Sequence, residues 1–328
     1  MRRREFIGLV GGAAAWPLAA RAQQTGKIPV VSVLWHGTRE KELSNPFYHW
    51  VVQGFEDVGL KPGVNIALDH HFADESDARY NVLAPQMAAE RPDVLVAIAV
   101  PPTSALKKVH GDIPLVFLGG DPLSLGVIEN LSARSEAITG IASTAGDLSG
   151  KRLGLLKDAI PSLSRVALLV NPKTKTFTEN DIKQYGEAAK STGVSVQHFN
   201  VSGYEEVAAA FAKIVEWQAN GVVLSQNPLF SLIREELARA ALSLRLPLMT
   251  SSDTYVVAGA LISYGASLRD ALQSGGALVK RLLKGERAGD IPVLLPTKFE
   301  LFLNMKTAHA LGLTFPPQFM AMADHVIE

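Results

Sequence analysis

The sequence predicts an α/β protein made of two Rossmann-like lobes, each built on a parallel sheet. The chain of 328 residues is long for one ordinary hydrophobic core and suits two lobes of about 120–150 residues. Five consecutive apolar residues, Val166 to Val170, end at an Asn-Pro turn, which is typical of a strand buried on both faces. A similar stretch runs from Ile28 to Gly37. Helix and strand signals alternate after both stretches, so the sequence starts an open α/β sheet twice.

The first 22 residues have the pattern of a cleaved export signal. Residues 2–4 are arginines, residues 6–20 are apolar and rich in Gly and Ala, and residues 20–22 offer small side chains where a signal peptidase cuts. Residues 3–7 also resemble the twin-arginine export motif, which favours that route over ordinary secretion. We therefore expect cleavage near residue 23 and a mature protein located in the periplasm.

Residues 28–142 carry the signals of the first lobe. Ser44 can cap a helix that Gly59 ends, and Val64, Ile66 and Leu68 alternate as in a strand. Strands are predicted at 28–35, 64–68, 94–100, 113–118 and 137–142, and helices at 44–58, at 77–90 and from 103 or 104 to 109.

Residues from 149 onward predict the second lobe. The pattern of the first helix places Arg152, Lys157 and Asp158 on its outward face. Helices are predicted at 149–159, 178–191, 204–219 and 229–243, and strands at 165–170, 194–200, 221–225 and 246–250.

The chain is predicted to pass between the lobes three times, near 137–142, 256–263 and 291–296. A helix at 268–284 would then pack on the first lobe. The predicted first lobe is 23–142 plus 265–291, and the second is 143–264 plus 292–328. Three crossing segments predict a hinge, so we expect the lobes to close on the cleft between them.

Composition excludes several classes of function. The net charge is zero, so the chain lacks the basic footprint of a nucleic-acid-binding protein. There is no cysteine, hence no disulfide and no thiolate chemistry. No apolar run beyond the signal reaches the roughly 20 residues of a membrane span. Nucleotide-binding, hydrolase and metalloprotease motifs are absent, so neither an enzyme nor a cofactor is expected. His70 and His71 are adjacent on a strand and point to opposite faces, which argues against a metal site.

Ligand contacts in an open α/β fold come from the loops that follow the carboxyl ends of the strands. Short polar side chains fill these loops, which predicts a small-molecule ligand in the cleft. The candidate ligand-binding residues are His36, Thr103, Ser104 and Asp121 in the first lobe, Asn171, Asn227 and Asp253 in the second, and Tyr264 near a crossing strand.

Several of these candidates also have an ordinary structural interpretation. Thr103 or Ser104 can cap a helix, whose N-terminus would otherwise favour a carboxylate. Asp121 and Asn171 can each organise a turn. Tyr264 can belong to the core instead of offering a stacking face and a hydroxyl to a ligand.

Motifs spread over the whole chain carry a family resemblance. They are Gly119–Pro122 followed by Leu125–Val127, Lys151–Leu153, Val170–Pro172, Ser263–Gly265 and the block from Pro296 to Leu313. Together they resemble the substrate-binding proteins of ABC-type importers in the tryptophan/tyrosine-binding group.

The resemblance implies a type 1 periplasmic-binding-protein fold and a monomer that delivers a small molecule to the transmembrane permease subunits. The ligand it implies is an amino acid or an aromatic carboxylate. One departure is the uncharged loop Gln226-Asn227-Pro228, where relatives often carry an acidic residue; this loop leaves room for a different ligand. A receptor that presents its solute to a chemoreceptor or sensor kinase remains an alternative.

Overall fold

The computed structural model describes residues 28–120, 126, 137–142 and 148–328. The described residues form two sheets flanked by helices, which confirms the predicted α/β architecture. The predicted export signal lies outside the described residues. Along the part of the chain that is described, no helix is both long and apolar enough to cross a membrane.

The first lobe is built on a five-stranded parallel sheet with the order β2-β1-β3-β4-β5. Its strands are β1 Val30–Trp35, β2 Ala67–Phe72, β3 Val94–Ile98, β4 Leu115–Leu118 and β5 Ile138–Ile141. Its helices are α1 Arg39–Ser44, α2 Pro46–Asp57, α3 Asp77–Ala89 and α4 Val100–Lys107. Strands β3, β4 and β5 are completely buried because hydrophobic clusters cover both faces of the sheet.

The second lobe is built on a seven-stranded sheet with the order β12-β11-β10-β9-β8-β6-β7. Its strands are β6 Arg165–Val170, β7 Ser195–Asn200, β8 Gly221–Leu224, β9 Leu248–Thr250, β10 Ile262–Ala266, β11 Phe299–Asn304 and β12 His325–Ile327. Its helices are α5 Ser149–Ala159, α6 Lys175–Thr192, α7 Val207–Glu216, α8 Pro228–Leu232, α9 Arg234–Ser243 and α10 Asp253–Val257, followed later in the chain by α12 Met305–Leu311 and α13 Pro317–Met320. Two hydrophobic clusters cover the two faces of this sheet as well.

One helix, α11 (Leu268–Leu283), follows the second lobe's β10 in sequence but packs on α2 of the first lobe. The crossing of the two helices is close enough that a Cβ at Gly276 would overlap the carbonyl of Gly54. Both positions therefore require glycine, and the pair fixes α11 onto the first lobe.

The chain passes between the two sheets after β5, after β10 and before β11. Leu294 lies beside the end of β5, where its N–H donates to Gly140 O over 2.9 Å and its carbonyl accepts from Ala142 N over 3.0 Å. These contacts bring the first and third crossing segments together at one hinge.

Several predicted element boundaries are wrong, for local reasons. The strand predicted at 94–100 ends at Ile98, because Ala99 takes a left-handed φ of 75° and α4 begins at Val100. The helix predicted at 44–58 is preceded by a separate short helix, and Asn45 caps the break. β10 belongs to the second sheet, so the chain crosses after Ala266 and not at 256–263. The sheet of the second lobe is also mixed and not purely parallel, because β11 pairs antiparallel with β10.

Candidate functional site

A cavity of about 170 Å³ lies between the two lobes. In each sheet the strand order reverses next to the first strand, between β1 and β3 in the first lobe and between β6 and β8 in the second. The loops that follow these strands diverge and leave a crevice at the carboxyl ends, which is where ligands of open α/β sheets bind. The two crevices face each other, and residues of both line the cavity.

The first-lobe wall of the cavity is mainly apolar. Its apolar members are Phe47, Ile98, Val100, Leu118, Leu268 and Leu272. The last two lie on α11, the helix that the Gly54–Gly276 crossing holds on this lobe. Three polar side chains interrupt the wall at its α1–α2 corner, and they are His36, Glu42 and Asn45.

The second-lobe wall is mainly polar. Helices α5 and α6 pack together and contribute Ser149, Arg152, Asn180, Asp181 and Gln184. The loop after β8 contributes Gln226 and Asn227. A ligand in this cavity would therefore meet hydrogen-bonding groups on one side and an apolar surface on the other.

Arg152 is the buried cation of the cavity wall. Only 4% of the residue is exposed, which shows that its predicted place on the outward face of the helix is wrong. Its Nε donates to the carbonyl of Tyr264 over 2.8 Å, and this bond fixes the guanidinium beside β10. Its Nη2 is buried without a hydrogen-bond partner. A guanidinium is always charged in proteins, so this donor strongly favours an anionic partner.

Glu42 brings a buried carboxyl to the opposite wall. Its Oε1 accepts from Gly37 N over 2.8 Å, and the residue is 5% exposed. Burial raises the pKa of Glu42 to about 7, and the negative charge of Glu75 acts in the same direction. The hydrogen bond from Gly37 and the charge of Lys41 oppose this increase in pKa.

Asn45 lies at the same corner and is 2% exposed. Its Oδ1 accepts from Phe47 N over 3.2 Å and so caps α2. Because Phe47 N can only donate, the capping atom must be the oxygen, and the other atom is the amide nitrogen. That Nδ2 is buried and has no hydrogen-bond partner.

His36 lines the cavity as a neutral side chain. Burial lowers the pKa of His36 to about 4, although the charges of Glu75 and Asp77 raise it. Its Nδ1 lies 2.7 Å from the hydroxyl of Tyr80, whose pKa burial raises well above its usual value. His36 is thus a hydrogen-bonding group without charge at neutral pH.

Several helix N-termini at the cavity are already capped or lack N–H groups. In α2, α8 and α10 a capping side chain already accepts from the first turn. Helix α4 begins with Val100, and the next two residues, Pro101 and Pro102, have no N–H. Thr103 N donates to Ala99 O. Helix α5 differs, because its N-terminus has no side-chain cap and its first residue, Ser149, lines the cavity on the same helix as Arg152.

The structure places the predicted first-lobe candidates in different surroundings. His36 lines the cavity, whereas Thr103 and Ser104 do not. Thr103 is fully buried, and its hydroxyl donates to Ala99 O over 2.7 Å within its own helix turn. Asp121 lies outside the described residues. Ala99 and Val100 line the cavity where Thr103 and Ser104 were expected to do so.

Asn171 and Asn227 are brought together behind the polar wall. Asn171 Nδ2 donates to Asn227 Oδ1 over 3.3 Å, and Asn227 Nδ2 donates to Thr174 Oγ1 over 2.7 Å. Asn227 Oδ1 also accepts from Leu229 N and caps α8. Asn227 lines the cavity with one N–H still available, whereas Asn171 does not line it.

Asp253 and Tyr264 lie near the cavity but outside its lining. The Asp253 carboxylate accepts from the hydroxyl of Ser252 over 3.0 Å at the start of α10. The ring of Tyr264 stacks on Phe299 with centroids 6.3 Å apart, so its contact with the cavity runs through the carbonyl that holds Arg152.

Sequence reasoning did not select Arg152, Glu42 or Asn45. Arg152 belongs to the Lys151–Leu153 motif of the family resemblance, which is the one signal that pointed to it. The Asn45-Pro46 pair could have indicated a helix start, since Asn is a strong cap and Pro favours the first helical position.

One group of side chains outside the cavity could hold a metal ion. Ligand atoms of Asp69, His71 and Glu90 all lie within 4.8 Å of one another. These residues do not line the cavity, and Asp69 Oδ2 already pairs with His71 Nε2 over 2.7 Å. Because Asp69 and His71 already bond to each other, we assign no metal-binding function to this group.

Known proteins of similar sequence and structure show the family. Residues 27–327 match the family model described as ABC transporter substrate binding protein. A tyrosine-binding protein of Clostridioides difficile is 24% identical over 270 residues, which are 80% of this chain and 75% of that protein.

Two solved structures share the fold. A conserved domain protein from Vibrio cholerae superposes with a TM-score of 0.82 at 22% identity, over 92% of this chain and 100% of that one. An ABC domain from Streptococcus pneumoniae in complex with L-Trp superposes with a TM-score of 0.81 at 19% identity, with the same coverage. The fold is that of the type 1 periplasmic binding proteins, as the family resemblance implied. The chain belongs to the substrate-binding proteins of ABC transporters.

Proposed function

We propose that this protein captures an α-amino acid with a largely apolar side chain in the interlobe cavity and delivers it to an ABC importer. The buried, unpartnered Nη2 of Arg152 carries this proposal. A guanidinium binds a carboxylate through parallel hydrogen bonds, which are among the strongest available to a protein. The tyrosine-binding relative and the L-Trp complex support an amino acid as the ligand.

The second-lobe wall suits the other charge of an amino acid. The α-ammonium group lies next to the carboxylate, so its partner must be near Arg152. Asp181 is a carboxylate on α6, the helix that packs on the Arg152 helix, and it lines the same wall. We assign the ammonium group to Asp181. The apolar residues of the first lobe would then cover the side chain.

Closure follows from this division of roles. The second lobe binds the charged end of the ligand and the first lobe covers the side chain, so all contacts form only when the lobes come together. A ligand with this differential affinity shifts the population toward the closed form. The closed protein would then be recognised by permease subunits at the membrane, after export to the periplasm as a monomer.

A thermal-shift screen of the twenty amino acids, followed by calorimetry, tests the proposal. A ligand at 100 times its dissociation constant stabilises the folded state by about 2.7 kcal/mol. If one lobe unfolds as a cooperative unit, this stabilisation raises the melting temperature by about 5–10 °C for each ligand that binds. If no amino acid shifts the melting temperature of ligand-stripped protein, the proposal fails.

A further inference from the structure

Two polar side chains, Glu42 and Asn45, line the cavity on its apolar side, at the corner between α1 and α2. The amide Nδ2 of Asn45 is buried without a partner, in a residue that is 2% exposed. The Oε2 of Glu42 accepts no hydrogen bond from any residue that the structure describes, since only Oε1 is engaged, by Gly37. A backbone hydrogen bond links the two residues, because Asn45 N donates to Glu42 O over 3.0 Å.

This corner stands apart from Arg152. Glu42 is next to Gly37, and Gly37 faces Leu232 of the second lobe, at the end of the helix that follows β8. Arg152 is bonded to Tyr264 on β10, two strands away from β8 in the sheet. Neighbouring strands are spaced by about 5 Å, so β8 and β10 lie about 10 Å apart. A ligand that reaches both places would therefore have one end at Arg152 and the other at the corner.

The hydrogen-bonding capacities of Asn45 and Glu42 determine which chemical group of the ligand can pair with both. Asn45 Nδ2 is a donor and needs an acceptor, whereas the Glu42 carboxyl accepts when ionised and both donates and accepts when protonated. An ammonium group only donates, a carboxylate only accepts, and an indole N–H only donates. A hydroxyl group does both, so it satisfies Asn45 and Glu42 together.

We infer that Glu42 and Asn45 recognise a hydroxyl group at the end of the ligand's side chain, so that the preferred ligand is a hydroxyl-bearing amino acid. The inference rests on the proposed binding of an amino acid through Arg152. A site that hydrogen-bonds a ligand hydroxyl discriminates strongly against the analogue without it, because the buried protein groups are then left unpaired.

The test compares L-tyrosine, L-phenylalanine and L-tryptophan by calorimetry on the wild-type protein and on Glu42→Gln. This substitution keeps an oxygen for Gly37 N and removes the acceptor that faces the cavity. We expect the wild type to bind tyrosine at least about 100-fold more tightly than phenylalanine, and more tightly than tryptophan. In Glu42→Gln the tyrosine-to-phenylalanine ratio should fall below about tenfold, while the affinity for phenylalanine changes little.

A second variant, Asn45→Ser, keeps a side-chain oxygen that can cap α2 and removes the amide donor. It should lower the same ratio, and melting curves verify that both variants fold. Equal affinities of the wild type for tyrosine and phenylalanine, tighter binding of tryptophan, or an unchanged ratio in both variants would overturn the inference. These outcomes leave the proposed function intact, because that proposal fails only if no amino acid binds.

Discussion

Replacing Arg152 by methionine removes the charge while keeping a side chain that can fill most of the buried space. If Arg152 binds the ligand carboxylate, the substitution leaves that carboxylate without its partner in a closed cavity. Truncating one partner of a buried, hydrogen-bonded charge pair costs about 2–5 kcal/mol. The dissociation constant should therefore rise about 30- to 4,000-fold, since 1.4 kcal/mol corresponds to a factor of ten.

The ligand-free protein should respond differently. The substitution removes the hydrogen bond from Nε to Tyr264 O, and it also removes a buried charge whose Nη2 has no partner. Replacing buried charged groups by apolar ones of similar size is often neutral or stabilising. We therefore expect a ligand-free melting temperature within a few degrees of the wild type, together with a nearly complete loss of the ligand-induced shift.

Calorimetry and thermal melts on matched variants measure both quantities. Lys151→Met is the control, because Lys151 is the exposed neighbour on the same helix and should change neither quantity. Arg152→Lys keeps the charge but loses the planar donor pair, so its affinity should be intermediate. Wild-type affinity in Arg152→Met, with a lowered melting temperature, would show that Arg152 only stabilises β10 through its hydrogen bond to Tyr264 O.

Three further predictions concern other parts of the cavity. Gly37→Val should weaken binding about tenfold, because a Cβ at Gly37 would lie 2.9 Å both from Leu232 Cδ1 across the cavity and from Glu42 Oε1, and overpacking costs about 1–3 kcal/mol; calorimetry showing unchanged affinity would contradict this. Asn227→Ala should lower the free energy of unfolding by about 1–2 kcal/mol through the lost cap of α8, measured by urea denaturation; unchanged stability with lost affinity would instead make Asn227 a ligand contact. Glu42→Gln should gain stability over the wild type as pH rises from about 4.5 to about 7, because the raised pKa of Glu42 stabilises the folded state only while the carboxyl is protonated; a pH-independent difference would contradict that.

Local sequence patterns were sufficient for the fold but not for the walls of the cavity. Uninterrupted apolar runs such as Val166 to Val170 predicted strands buried on both faces, and the strand that this run forms, β6, lies inside its sheet with a neighbour on each side. The order of α and β signals then fixed two open sheets. Patterns of this kind depend on neighbours in sequence, which is why they succeed for strands and helices.

The polar groups of the cavity depend on contacts that are distant in sequence. The guanidinium of Arg152 is held by a carbonyl 112 residues away. The charge of Arg152 favoured the solvent face in the sequence analysis, although its spacing of three and four residues from the buried Leu155 and Leu156 places it on their face. Glu42 lies on the short helix α1, which ends at the break that Asn45 caps, and the continuous helix predicted at 44–58 does not include it. Thr103 was predicted to contact the ligand, with helix capping as its structural alternative, but the two prolines before it allow the helix to start three residues earlier.

The most direct measurement removes the carboxylate from the ligand as well as the arginine from the protein. Calorimetry would compare the tightest-binding amino acid with the amine that lacks its carboxylate, on the wild type and on Arg152→Met. A double-mutant cycle of this kind isolates the pairwise interaction. We predict that loss of the carboxylate weakens binding to the wild type at least about 30-fold and has little effect in Arg152→Met. The same loss of affinity in both proteins would show that Arg152 does not bind the carboxylate.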